Sequence, residues 1–372
     1  MDDKLRDEME KLPVGCDSCC FLRGGDIGVY TFISMEPDAA GRLRQLIAGF
    51  RSTQIVYVAA KLGLADRLAE QPRTAAELAK DLGVNPDALY RFARALTSVG
   101  ILTESADGTF RMDAAGELLR TNAPESMRNA ALLYGNDWLW QAYGNTLYSI
   151  QTGKSAFSRL HGRTFYEFLE QHADASAAFY AAMDDFSRGE MVAILDAYCF
   201  DGVNSVMDVG SGPGVLLAAI LQVYPQLRGA GFDTGSAESE FTRRFDDAGL
   251  RGRAAFVAGD FFRELPKGYD LYLLKSVLHN WDDDACRRII NVCRQALSST
   301  ARLLIIERVI SDASPSTEAK LFDINMLVTL GGRERTEREY STLLEEGGFR
   351  VSRVIQRPLP SQSLKRYCSR LS

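Results

Sequence analysis

Four blocks of this 372-residue chain place small, acidic and titratable side chains directly after apolar runs. They are Val206-Met207-Asp208-Val209-Gly210-Ser211-Gly212-Pro213-Gly214, Gly231-Phe232-Asp233, Gly259-Asp260-Phe261-Phe262 and Leu274-Lys275-Ser276-Val277-Leu278-His279-Asn280-Trp281. An open α/β sheet gathers such residues at the carboxyl ends of its strands, where it binds ligands. The first block fails as a dinucleotide loop, because Val215 stands where the third glycine of Gly-x-Gly-x-x-Gly belongs. Asp208 lies just before the loop, where a carboxylate repels a pyrophosphate and attracts an ammonium or sulfonium group. S-adenosylmethionine carries both cations, and its carboxylate would sit against backbone N–H groups where the loop enters a helix near Val215. On this reading Gly210, Gly212 and Gly214 form the loop, and Asp233, ending the run Arg228 to Phe232, accepts from both ribose hydroxyls. Asp260 accepts from the adenine amine while Phe261 covers the ring.

With Gly332-Arg333-Glu334-Arg335-Thr336 downstream, these blocks resemble the S-adenosylmethionine-dependent O-methyltransferases that act on plant phenylpropanoids and bacterial aromatic polyketides. The resemblance runs from about Glu36 to the C-terminus, and LKSVLHNW followed by GRERT is its most specific part. It implies an α/β protein: a doubly wound class I methyltransferase sheet behind a mostly helical winged-helix dimerisation domain. It also implies S-adenosyl-L-methionine as cofactor, a small hydroxylated aromatic as substrate, and a homodimer.

Methylating a phenol requires removing a proton with a pKa of about 10 as the oxygen attacks the methyl carbon. Histidine, titrating near neutrality, is the usual group for this. His279 lies just past the strand Leu271 to Leu274 and matches the family's catalytic histidine, while Glu307 and Glu334 match the glutamates that flank it. Such partners hold a base in one tautomer. By resemblance, Lys275 lies near the adenosine or methionine end of the cofactor, and the Trp281 indole near its adenine. Met183, in Phe179-Tyr180-Ala181-Ala182-Met183, and Met326, in Asp323-Ile324-Asn325-Met326, correspond to substrate-facing methionines, with Asn280 beside the substrate. Three departures stand out. The loop reads Gly-Ser-Gly-Pro-Gly, Asp233 is followed by Thr234-Gly235 where the family commonly has Leu-Pro, and Asn280 replaces the usual aspartate. The last removes a negative charge and leaves room for a relative that keeps the cofactor but catalyses decarboxylation, hydroxylation or cyclisation.

The elements that must position these groups are read from periodicity. Apolar residues from Asp38 to Leu68 recur at helical spacing, interrupted by Gly49 and Gly63, which predicts a helix pair. Thr74-Ala75-Ala76-Glu77 reads as a capping box, Asn85-Pro86 opens another helix, and Ile101-Leu102-Thr103 with Phe110-Arg111-Met112 reads as a hairpin around Asp107-Gly108. That order is a winged helix. As a DNA reader it offers only Arg91 and Arg94 between Pro86 and Thr97, too few for phosphate anchoring. From Ala123 to Asp201 the chain is helical and rich in aromatics, mostly core, some lining a pocket for a flat substrate; His161 and His172 read as structural. From Val203 strands and helices alternate, with strands at Ser205 to Val209, Gly229 to Phe232, Ala254 to Ala258, Leu271 to Leu274 and Arg302 to Val309. Arg350 to Ile355 and Leu364 to Ser369 are compatible with a terminal hairpin. The expected division is a leader at 1–36, a dimerisation domain at 37–122, a helical substrate cap at 123–202 and the cofactor-binding domain at 203–372.

Composition bounds the alternatives. A net charge of −6 disfavours a general nucleic-acid role. With no apolar run of about 18 residues, no membrane span is expected, and the opening Met1-Asp2-Asp3-Lys4 lacks the order of a secretory signal, so a cytoplasmic protein is expected. Seven cysteines, an odd number, argue against a disulfide framework. Cys16, Cys19 and Cys20 cluster, but no second Cys or His pair lies nearby to complete a zinc site, so no metal is expected.

Overall fold

The computed structural model describes residues 38–310 and 317–355. The Cys16, Cys19 and Cys20 cluster and the run Leu364 to Ser369 lie outside the described residues. The chain divides into two units, 1–49 and 50–372. The described part of the first is the opening of one helix, Ala39–Leu62, which runs unbroken through Gly49. The expected break at that glycine does not occur, since one glycine inside a helix costs only about 1 kcal/mol relative to alanine. The break comes at Gly63, whose φ of 62° lies in the left-handed region.

Within the second unit, the helices Ala75–Leu82 and Pro86–Ser98 pack with a three-stranded antiparallel sheet of β1 (Arg73–Thr74), β2 (Leu102–Glu104) and β3 (Thr109–Met112), in the order β1-β3-β2. The Thr74 capping box is present with both of its reciprocal bonds, and Asn85 caps the next helix by accepting from Ala88 N–H. Leu78, Leu89, Leu96, Leu102 and Phe110 close the small core between helices and hairpin. Six helices then run from Arg128–Tyr134 to Ala173–Ala197. Their aromatic core gathers Trp138, Phe157, Phe165 and Phe168. His161 and His172 belong to it: His161 Nε2 meets the Trp138 carbonyl at 3.1 Å, and the His172 ring stacks on Phe168 at 4.0 Å.

The rest is a parallel sheet of β4 (Ser205–Val209), β5 (Arg228–Asp233), β6 (Ala254–Ala258), β7 (Leu271–Lys275) and β8 (Arg302–Ile306), in the order β6-β5-β4-β7-β8. Apolar clusters cover both faces, which is why the strands read as continuous apolar runs. The strand order reverses between β4 and β7, and such a reversal opens a crevice at the carboxyl ends of the two strands.

Two strand expectations need correction. The run Arg302 to Val309 ends its ladder at Ile306, and β9 (Val309–Ile310) pairs separately with β10 (Arg335–Thr336). The partner strand β7 stops at Lys275, where Ser276 takes a φ of 54°, so the ladder has no extended neighbour beyond Ile306; there the Glu307 side chain accepts from the Val277 and Leu278 amides. Arg350 to Ile355 forms no strand.

Candidate active site

The crevice begins at the loop between β4 and the helix Val215–Val223, where Gly210, Gly212 and Gly214 have φ of 70°, 51° and 75°. Only glycine takes this region freely. Space forbids more at Gly214, where an added Cβ would lie 2.6 Å from the Phe241 ring and 2.7 Å from Phe245. A Gly214→Ala variant is therefore expected to lose cofactor affinity together with several degrees of thermal midpoint, which calorimetry and thermal unfolding would measure.

At the tip of β5, Asp233 accepts Gly212 N–H and Thr234 N–H, both at 2.7 Å, so one carboxylate pins the loop and still faces the cleft with free lone pairs. Burial pushes its pKa up against those two bonds. Asp208 also borders the cleft. It is 2 % exposed beneath the loop and accepts from the Leu217 backbone, and burial raises its pKa to about 7. A further carboxylate in the cleft is Glu190, 2.8 Å from Lys275 Nζ, with Ser187 Oγ at 3.3 Å from the same nitrogen. Glu190 and Ser187 escaped the sequence reading. A signal existed: Met183, Ser187 and Glu190 fall at i, i+4 and i+7 on one helix, so a cleft position for the first implies the others.

Asp260 is exposed and caps its own turn through Phe262 N–H at 2.8 Å. Phe261 and Phe262 stand edge-on to Trp281, which stacks on Tyr166 at 6.2 Å. The Trp281 Nε1 is buried without a hydrogen-bond partner among the described residues, beside a cleft lined by Gly259, Asp260 and Phe261.

Across the crevice, His279 sits in a short helical turn, Leu278–Asn280, directly after β7. It is 8 % exposed and its Nδ1 lies 2.8 Å from Glu334 Oε1 and 3.7 Å from Glu307 Oε2. Burial alone would lower the imidazole pKa, but the Glu307 charge and the Glu334 hydrogen bond outweigh it, and the net direction is up. Burial also pushes Glu307 up. Glu307 Oε1 accepts from the Val277 and Leu278 amides, while Glu307 Oε2 and Glu334 Oε2 are buried without a hydrogen-bond partner among the described residues. With Nδ1 turned to the carboxylates, Nε2 is the nitrogen left for the cleft.

Two features hold this turn. Ser276 takes φ 54° while donating its N–H to Ile306 O at 2.9 Å, and Asn280 Nδ2 donates to Ser276 O at 3.0 Å. Arg335, 1 % exposed, forks onto Asp283 at 2.8 and 3.1 Å and donates to the carbonyls of Leu278 and Trp281 at 3.0 and 2.9 Å. Sequence reading saw Arg335 only as part of a motif. Its structural role is to clamp the histidine turn from below. An Arg335→Met substitution would leave the Trp281 carbonyl with only the weak Cys286 thiol at 3.7 Å, at a cost of about 1–3 kcal/mol. Thermal unfolding should show a lower midpoint and turnover should fall, with cofactor affinity nearly kept; an unchanged midpoint would show the clamp to be idle.

Beyond the histidine the cleft is lined by Tyr134, Tyr143, Met183, Asn280, Phe322, Asn325 and Met326. Met183 is partly buried and Met326 is 4 % exposed. Tyr143 Oη donates to Asn325 Oδ1, a polar pair within an apolar wall. Of the expected residues, all but Gly214 and Glu334 border this crevice; Glu334 reaches it only through its hydrogen bond to His279.

Comparison with known proteins gives two family matches: the O-methyltransferase domain over residues 143–350 and the O-methyltransferase dimerisation domain over residues 44–122. The phenazine O-methyltransferase PhzM of Lysobacter antibioticus is 37% identical over 313 residues, 84% of this chain and 92% of its own. The 3-amino-4-hydroxybenzoate 4-O-methyltransferase of Streptomyces cremeus is 38% identical over 326 residues, 87% of this chain and 89% of its own. Among solved structures, an O-methyltransferase from neocarzinostatin biosynthesis, in complex with S-adenosylmethionine and 2-hydroxy-5-methyl naphthoic acid, superimposes with a TM-score of 0.70. It is 34% identical and covers 80% of this chain and 90% of its own.

Proposed function

Because the chain belongs to the O-methyltransferase family and uses S-adenosylmethionine, we propose that it methylates a phenolic hydroxyl of a small aromatic natural product with His279 as general base. The observation that carries this reading is the buried His279 with Glu334 at 2.8 Å on one nitrogen and the cleft at the other. The residues fit the cofactor: a half-buried strand-tip carboxylate, a lysine–glutamate pair and an aromatic wall with an unpartnered indole N–H. Asp233 would hold the ribose hydroxyls, Lys275, Ser187 and Glu190 the methionine end, and Asp260, Phe261 and Trp281 the adenine. When bound, S-adenosylmethionine supplies an electrophilic methyl on a positively charged sulfur.

The protein's own part is to orient the phenol and take its proton. His279 Nε2 accepts that proton as the oxygen loses it, and the imidazolium that results is stabilised by Glu307 and Glu334 on its far side. Met183 and Met326 flank the ring, and Asn280, neutral where the family usually has aspartate, adds no charge beside the developing phenolate. Incubation with S-adenosylmethionine and a panel of hydroxylated aromatics should give S-adenosylhomocysteine and a product heavier by one CH₂. Turnover without that gain would instead favour a non-methylating reaction on the same cofactor.

The relatives' dimerisation domain supports a homodimer. Leu46, Ile47 and Phe50 of the first helix are 78%, 67% and 54% exposed, an apolar face suited to a two-fold contact. An Ile47→Glu variant should sediment as a monomer, and persistence of the dimer would place the contact elsewhere.

A further inference from the structure

The residue after Glu307 is not accounted for by the base or by the cofactor cradle. Arg308 lines the cleft together with Tyr134, Phe322 and Asn325, and its guanidinium carbon lies 4.3 Å from the centre of the Phe322 ring. That same ring lies 6.1 Å from the His279 imidazole, inclined by 31°. One phenyl group thus separates the cation from the base, along the wall of a single crevice. The contrast with Arg335 is informative. Arg335 is 1 % exposed and forks onto a carboxylate and backbone carbonyls, as a structural guanidinium does. Arg308 keeps 23% of its side chain exposed, and its ion-pair partner Glu318 stands 3.8 Å away with 74% of its own side chain in solvent. A pair so long and so wet contributes little and exchanges readily for a better acceptor.

We propose that Arg308 receives a carboxylate borne by the substrate, so that the aromatic acceptor is an acid whose hydroxyl faces His279 and whose carboxylate lies at the other end of the ring system. This rests on the methyltransfer reading and narrows its substrate class. A guanidinium can stack on Phe322 and still present its N–H fork to a carboxylate. Without it, an anion would enter a wall of tyrosine, phenylalanine and methionine at a prohibitive desolvation cost. The carboxylates of Glu307 and Glu334 are 2% and 0% exposed and are turned to the imidazole and backbone, so they do not repel the incoming acid at contact distance. Tyr134, Arg308 and Glu318 all line the cleft, and the phenol, raised by burial, feels both charges.

The test uses matched pairs that differ only in charge: 4-hydroxybenzoate against 4-hydroxybenzamide, and 6-hydroxy-2-naphthoate against its amide. Binding is read by calorimetry on the full chain with S-adenosylhomocysteine present, so that no turnover is needed. At least one acid should bind about 10-fold more tightly than its amide. In Arg308→Gln that ratio should fall to about one, in Arg308→Lys it should be partly kept, and S-adenosylhomocysteine affinity should be unchanged in both. Equal binding of acid and amide, an acid preference that survives Arg308→Gln, or no binding of any of the four overturns the proposal. Arg308-dependent binding of an acid that is never methylated would uphold the anion site and sink the methyltransfer reading instead.

Discussion

Replacing His279 by alanine should lower kcat by about 10²- to 10⁴-fold, the usual share of a general base, while the Kd for S-adenosylmethionine stays within a factor of two or so. The loss falls on kcat because, in the proposed assignment, the imidazole meets the phenol, while Asp233, Lys275 and Glu190 would hold the cofactor. Turnover should not vanish. Holding two reactants in line contributes about 7–11 kcal/mol, and that term resides in the crevice walls. An unchanged kcat would remove His279 from the mechanism.

The same assignment sets the pH profile. The base works when neutral, and its pKa is raised, so the acid limb of kcat/KM should lie above the ordinary histidine value of about 6.5. Activity then rises as pH climbs through the raised value. In Glu334→Gln the hydrogen-bonded charge is lost, and the limb should move to lower pH as kcat drops. A limb that stays in place would mean that Glu334 does not tune the base.

The second large effect is expected at Asp233. Its two oxygens already anchor Gly212 N–H and Thr234 N–H, and the ribose diol would add charge-assisted bonds of about 1.5–3 kcal/mol each. Asp233→Asn keeps the size and one acceptor but loses the charge, so the Kd for S-adenosylmethionine should rise about 10- to 100-fold. Calorimetry measures this directly. Saturating cofactor should restore most of the kcat, which separates Asp233 from His279; cofactor binding as tight as in the parent would exclude the ribose role.

The strand-tip residues were legible because a buried parallel strand advertises itself as an apolar run, and the side chains just past its carboxyl end must lie at the crevice. Asp233 was read in that way, His279 and Glu307 in that way together with the family resemblance, and Lys275 by resemblance; the Thr74 capping box was readable from four residues. The features that escaped depend on partners distant in sequence. Asp208 obeys the same rule as Asp233 and borders the cleft, yet it is 2 % exposed, because strand alternation does not say how much of a strand-tip side chain its neighbours will cover. Val309 looked like the end of β8, whereas it pairs with Arg335 in a separate ladder. Glu190 required knowing that the long helix Ala173–Ala197 turns the face of Met183 toward the cleft. The Arg335 clamp joins a residue to carbonyls more than fifty positions away, which no local pattern encodes.

Ser276 carries a cost that laboratory evolution would notice. A serine with φ 54° sits in a region disfavoured by about 1–2 kcal/mol, three residues before the base. Glycine there would relieve the tension and raise the melting temperature, yet it would let the imidazole sample more directions. Selection for heat tolerance alone should therefore enrich glycine at this position among survivors with poorer turnover, a local compromise between durability and aim.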